Sequence, residues 1–194
     1  MKEITKYEMQ IMIRLFKDIG VWYNANNLSK EIGISSMGAL KILKRLNDQD
    51  ILNHKEEGRR KYYYLNYNNQ FTIDFIEFLL KKEAKDSLPR IRRWITEIKN
   101  IDVDIAIIFG SVLRTVTHKD IDVMLVYKQN KKIDNIITEK NKLNVKRIHP
   151  IKQTISDLKN NIKKRDKLVL NAVKFGVVAK GQKKLIEVIK SVNY

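Results

Sequence analysis

At 194 residues, 43% of them hydrophobic, the chain has room for one large domain or two small ones and enough apolar mass for a core. It has no cysteine, which excludes disulfide scaffolds, thiol catalysis and Cys-ligated zinc fingers, and its three histidines (His54, His118, His149) are too scattered for a histidine-rich metal site. Lys and Arg number 39 against 22 Asp and Glu, a formal charge of +17 that favours polyanionic partners, nucleic acid above all.

The excess is uneven. Residues 1–86 carry 15 basic and 12 acidic side chains, whereas residues 87–194 carry 24 and 10. No apolar run approaches a membrane span, and charges among the first twenty residues interrupt any secretory apolar region. A soluble cytoplasmic protein without membrane contact is expected.

From Tyr7, the residues Ile11, Met12, Leu15, Phe16 and Ile19 follow a helical period that ends near Gly20. A second helix is read over Leu28–Ile32, with Asn26 and Asn27 as capping material and Gly33 as its stop. Ser35 and Ser36 cap a third, about 35–49, in which Ala39, Ile42, Leu43 and Leu46 form the apolar stripe and Lys41, Lys44 and Arg45 fall largely outside it. Two β-prone runs follow, 51–55 and 60–65, around the turn Glu56-Glu57-Gly58-Arg59.

Helix-turn-helix followed by a basic-tipped hairpin resembles the winged helix-turn-helix domains of small prokaryotic transcription regulators. The resemblance implies double-stranded DNA as partner, with the third helix in the major groove and the wing on backbone or minor groove. Ser36, Lys41, Lys44, Arg45, Arg59 and Arg60 are the candidate contacts. Winged helices also serve as protein-docking modules, and that reading stands beside the first.

Residues 68–100 read as two helices flanking Pro89, the first strongly apolar over 71–80. That segment is expected to pack on the winged helix or to mediate a homodimer.

Beyond it, Ile105–Phe109 reads as a buried strand ending at Gly110-Ser111, and 111–117 as the start of a short helix. A glycine there lets backbone approach a phosphate, and Ser111 and the helix amides can donate to its oxygens. The next strand opens with Asp120 and Asp122, two residues apart and so on one face. Carboxylates so spaced, near a phosphate cradle, suit Mg²⁺ held between protein oxygens and a nucleoside triphosphate.

Apolar strand, Gly-Ser, eight residues, Asp-x-Asp and a second apolar strand together resemble the signature of the DNA polymerase β-like nucleotidyltransferase superfamily, closest to its minimal prokaryotic branch. The resemblance covers about 101–194. It implies that Gly110, Ser111 and Arg114 bind an NTP, and that Asp120 and Asp122 bind Mg²⁺ (or Mn²⁺) and are catalytic. Active members add a third carboxylate on a later strand. Here the matching strand, read over Leu143–Pro150, contains no acid; Lys146 or Arg147 stands about where it is expected, and the nearest acids are Glu139 and Asp157. Glu139 or a substrate group could supply the missing ligand, or His149 could act as base. The alternative reading is that catalysis is lost while nucleotide binding survives.

The tail reads as helical between Thr154 and Asn171, a strand over 175–179 and a terminal helix. Lys159, Lys163, Lys164, Arg165 and Lys167 form its densest basic cluster, a candidate surface for a nucleic-acid acceptor. The expected fold is α+β: a winged helix-turn-helix over 1–67, a helical linker over 68–100 and a small mixed-sheet nucleotidyltransferase domain over 101–194. Two functions fit it: a Mg²⁺-dependent transferase moving NMP from an NTP to an acceptor hydroxyl, or a DNA-binding regulator whose second domain is catalytically degenerate and senses a nucleotide.

Overall fold

Thr5 opens the first helix by reciprocal capping: its hydroxyl accepts from the Glu8 amide while the Glu8 carboxylate accepts from the Thr5 amide. The computed structural model describes residues 4–117, 119–128 and 133–192, so His118 lies outside the described residues. The chain separates into two compact units, Met1–Leu79 and Leu80–Tyr194.

In the first unit, α1 (Lys6–Lys17), α2 (Ala25–Ile32) and α3 (Ser36–Asp48) precede the antiparallel hairpin of β1 (Leu52–Glu57) and β2 (Arg60–Leu65). This is a winged helix-turn-helix. Ile11, Met12, Phe16, Leu28, Leu43 and Leu46 are its buried centre. The turn between α2 and α3 follows from local chemistry. Gly33 closes α2 in the left-handed region (φ 76°), and Ser35 then caps α3 by accepting from the Gly38 amide. The cap of α2 is Asn24, whose side chain accepts from the Asn27 amide; Asn26 and Asn27, read as caps from sequence, lie inside the helix. Asn24 wins because its backbone is extended and it stands three residues before the donor.

Helix α4 (Gln70–Asp86) follows, with Ile76, Leu79 and Leu80 buried. Phe71, Phe75 and Phe78 stack in sequence along its outer side, with Phe78 53% exposed. Pro89 sits in the first turn of α5 (Pro89–Lys99), where its missing amide costs nothing.

The second unit is built on a four-stranded sheet of order β5-β4-β3-β6. Strand β3 (Ile105–Phe109) is antiparallel to β4 (Asp120–Val126) and to β6 (Val177–Lys180); β4 is parallel to β5 (Arg147–Gln153). A parallel pair needs a crossover, and α6 (Ile133–Leu143) supplies it, a helix the sequence reading did not find. Ala106 and Ile108 of β3 join Ile121, Val123 and Leu125 of β4 in one apolar cluster with Trp94 and Ile98 of α5 and Ile137 of α6. The other face is covered by α7 (Ile155–Lys163), α8 (Lys167–Phe175) and α9 (Gln182–Val192), which bury Leu158, Val173 and Leu185.

Three expected boundaries move. The segment after Gly110-Ser111 is a 3-10 turn, Gly110–Leu113, rather than a helix to 117. Leu143 ends α6 instead of opening β5, because the Asn141 side chain both accepts from the Ile148 amide (2.7 Å) and donates to the Ile148 carbonyl (3.2 Å), fixing the strand that starts at Arg147. Phe175 ends α8, and β6 starts at Val177.

Candidate functional site

Two places gather the residues singled out from sequence. The first is on the winged helix. Ser36, Lys41 and Lys44 are exposed along one side of α3, and Arg59 and Arg60 are exposed where the hairpin turns. An open groove of about 430 Å³ brings Lys44, Arg59 and Arg60 together with Lys61 of β2 and with Asn24 and Asn27 at the start of α2. Lys41 and Ser36 do not line it. The Ser36 hydroxyl instead donates to Asn26 Oδ1 (3.2 Å) and meets Ser29 Oγ (3.1 Å), tying the start of α3 to α2. Lys61 pairs with Glu56 at 2.8 Å; that hydrogen bond holds the Glu56 carboxyl below its ordinary value and the Lys61 ammonium above its own.

Arg45 has a different environment. Its guanidinium pairs with Glu8, a carboxylate only 2% exposed, so it bridges α3 to α1 and is committed to the unit's own packing. Hydrophobic spacing placed Arg45 outside the apolar stripe; only the partner's position shows that it turns inward. Conversely, Lys61 and the asparagines of the groove carried no local signal and are assembled by the turn and the wing together.

The second place is where β3 ends and β4 begins. Gly110 adopts φ +81°, and a Cβ there would collide with the Asp122 carboxylate. The pairing of Phe109 with Asp122 across β3 and β4 brings the two together. Asp120 is exposed and Asp122 half-buried. Ser111 is half-buried, and its carbonyl accepts from the amides of Arg114 and Thr115, both at 2.9 Å, closing the turn that leaves the Arg114 side chain exposed.

Parallel pairing sets Arg147 beside Asp120 and His149 beside Asp122. His149 Nδ1 lies 3.4 Å from Asp122 Oδ1. The residue opposite Asp122 on the neighbouring strand is therefore His149, not the Lys146 or Arg147 that the sequence reading put near the third-carboxylate position; Lys146 precedes the strand. Glu139 lies on α6 paired with Lys142 at 2.8 Å. Asp157 closes the N-terminal capping box of α7, where the Thr154 amide and hydroxyl hold its carboxyl below the ordinary value. Among the described residues, no three His, Asp or Glu side chains gather closely enough to hold a metal ion by themselves. The basic residues Lys159, Lys163 and Lys164 lie on α7 or at its C-terminal end, with Arg165 just beyond it and Lys167 opening α8.

No protein-family model and no curated protein matches this chain. Among solved structures, the adhesin competence repressor AdcR of Streptococcus pyogenes is similar at 15% identity and a TM-score of 0.39, over 52% of this chain and 70% of that one. BpsR of Bordetella bronchiseptica, whose DNA binding is regulated by 6-hydroxynicotinic acid, is similar at 13% identity and a TM-score of 0.34, over 52% and 79%. ZitR of Lactococcus lactis is similar at 12% identity and a TM-score of 0.33, over 51% and 73%. At these scores the likenesses add nothing to the fold reading, which rests on α1 to β2 themselves. No helix among the described residues is long and apolar enough to cross a membrane.

Proposed function

We infer that this chain is a DNA-binding regulator: its winged helix holds duplex DNA, and its second unit binds a nucleoside triphosphate with Mg²⁺. The observation that carries the DNA reading is the groove in which Lys44, Arg59, Arg60 and Lys61 converge from α3 and the wing. Cations drawn from two elements of a winged helix match phosphates flanking a major groove entered by α3. Binding of labelled duplex DNA, followed across salt concentration, tests it. Salt-independent or absent duplex binding would overturn it.

For the second unit, the support is the pairing of a left-handed Gly110 with the Asp122 carboxylate, beside Asp120. The donors are hard oxygens, and two carboxylates suffice for Mg²⁺ when phosphate oxygens and water complete its sphere. Asp120 and Asp122 would hold the ion, which when bound neutralises phosphate charge. Gly110 lets its backbone approach the triphosphate, Ser111 donates to it, and Arg114 adds a cation one turn on.

Nucleotidyl transfer is the second reading, favoured by the same arrangement. Against it stands the lack of any acid in β5 (Arg147–Gln153), the later strand on which active members of the superfamily resembled by this sequence carry a third carboxylate; His149 is its residue in register with Asp122. The two readings separate when each α-³²P NTP is incubated with the protein, Mg²⁺ and total RNA, DNA or protein, beside an Asp120→Asn, Asp122→Asn variant. Label transfer lost in the variant establishes a transferase. Mg²⁺-dependent NTP binding without transfer establishes a sensor.

A further inference from the structure

The outward side of α3 divides into two parts. Lys44 and the half-buried Leu40 line the groove shared with the wing, whereas Met37 and Lys41 do not. Met37 and Lys41 stand four residues apart, so their side chains share one helix face and lie roughly 6 Å apart along the axis. Both are exposed. Met37 is 63% exposed, on a helix whose other large apolar residues, Leu40, Ile42, Leu43 and Leu46, are all buried or half-buried.

The other polar groups at this end of α3 are committed to the fold. Ser35 caps the helix by accepting from the Gly38 amide at 3.0 Å. The Ser36 hydroxyl is held by Asn26 and Ser29 at the joint with α2. Further along, Arg45 is paired with the buried Glu8. Among the described residues, Lys41 makes no hydrogen bond or ion pair. Met37 and Lys41 are therefore what the first two turns of α3 present to a ligand.

A helix laid in a major groove touches base edges with its N-terminal residues, while cations beside it take phosphate. A thioether has nothing to offer a phosphate. The one apolar group on the floor of the major groove is the C5 methyl of thymine. An ammonium one turn further on matches the O6 and N7 acceptors of guanine. We propose that Met37 reads a thymine methyl and Lys41 a guanine within about two base pairs of it, at 3.4 Å per step. These two residues then set the sequence preference of the winged helix, and Lys44, Arg59 and Arg60 its affinity. The assignment rests on the duplex-binding reading above.

The test uses the full chain. Duplexes selected from a random pool by the wild-type protein give its preferred site, and fluorescence anisotropy measures affinity for that site with single atoms changed. Deoxyuridine in place of the contacted thymine removes only the methyl and should weaken wild-type binding about fourfold. Met37→Ala should bind the parent duplex more weakly and be indifferent to that swap. 7-Deazaguanine in place of the contacted guanine removes N7 and should weaken wild-type binding about fivefold, with Lys41→Ala indifferent. Lys44→Ala should weaken binding to all these duplexes alike and stay sensitive to both swaps. The wild-type responses need no variant, so they hold whether or not each variant folds. Three results would overturn the proposal: salt-dependent duplex binding that enriches no sequence, wild-type affinity unchanged by uracil at every thymine, or Met37→Ala still sensitive at the thymine that matters. Absent or salt-independent duplex binding by the wild type would instead overturn the DNA reading beneath it.

Discussion

The Asp122 carboxylate occupies the space that a side chain at residue 110 would need, so Gly110 is fixed twice, by its left-handed backbone (φ +81°) and by its neighbour. The antiparallel pairing of β3 with β4 makes this contact, setting Phe109 opposite Asp122 and turning the chain directly over the carboxylate. The proposed phosphate and cation site rests on this carboxylate held against the Gly110 backbone.

Gly110→Ala therefore carries two costs. Leaving the left-handed region to an L-residue costs about 1–2 kcal/mol, and displacing Asp122 removes a carboxylate from the proposed Mg²⁺ site. Denaturant unfolding should show the first loss. Titration with a fluorescent ATP analogue should show Mg²⁺-dependent binding abolished, and retained binding would mean the nucleotide does not approach residue 110.

His149→Asp is expected to act in the opposite direction on the ion. It adds a carboxylate on the strand beside Asp122, with which residue 149 is in register. Mg²⁺ affinity should rise several-fold in isothermal titration, while the metal-free protein loses some stability through carboxylate repulsion. No change in affinity would show that residue 149 does not reach the ion.

Removing Lys44, Arg59 and Arg60 together should flatten the salt dependence of duplex binding by about 3, at roughly 0.9 per phosphate contact. Specificity among sequences should change less than affinity, since the proposed contacts are to the DNA backbone. A slope equal to the wild type would assign duplex binding to another surface.

Arg45→Ala should leave that slope alone and reduce stability instead. It strips the buried Glu8 carboxylate of its cation, a loss of about 2 kcal/mol once the partial exposure of Arg45 is allowed for. Thr5 still donates to Glu8 through its amide (2.7 Å) and hydroxyl (2.9 Å). Adding Glu8→Gln should recover part of the loss in thermal unfolding.

Tyr23 gives the first unit an alkaline limit. Burial, then the hydrogen bond it donates to Asp18, then the charges of Asp18 and Glu31 push its ionisation well above the ordinary value. The folded state thus favours the neutral phenol, while the unfolded chain ionises near pH 10. The contribution is complete below that pH and is lost as pH rises above it. Unfolding free energy, followed from pH 8 to 11.5, should decline above pH 10, and Tyr23→Phe should reduce the decline. Tyr63, whose ionisation is raised chiefly by burial, supplies a smaller remainder.

Local chemistry made much of the fold legible. Gly33, Ser35 and Pro89 mark helix ends by backbone and capping rules that operate within a few residues, and each marks one here. The apolar runs of β3 and β4 needed only their composition, and the shared face of Asp120 and Asp122 follows from the two-residue period of a strand. Helix α6 escaped because its apolar period, Ile133, Ile136 and Ile137, breaks off into the polar run 138–142, and the start of β5 is fixed by the Asn141 side chain from another element.

By itself, then, the sequence determined what depends on neighbours along the chain: the helix-turn-helix, the wing, the Gly-Ser turn and the paired aspartates. Tertiary structure alone decided which groups meet. Arg45 turns to Glu8 because the fold brings α3 within reach of a buried carboxylate on α1. His149, not a carboxylate, stands beside Asp122 because parallel register is set by the α6 crossover. The end of α5 is held against β6 because Lys180 donates to the Ile101 carbonyl. Each is a contact between residues far apart in the chain, whose geometry no local period encodes.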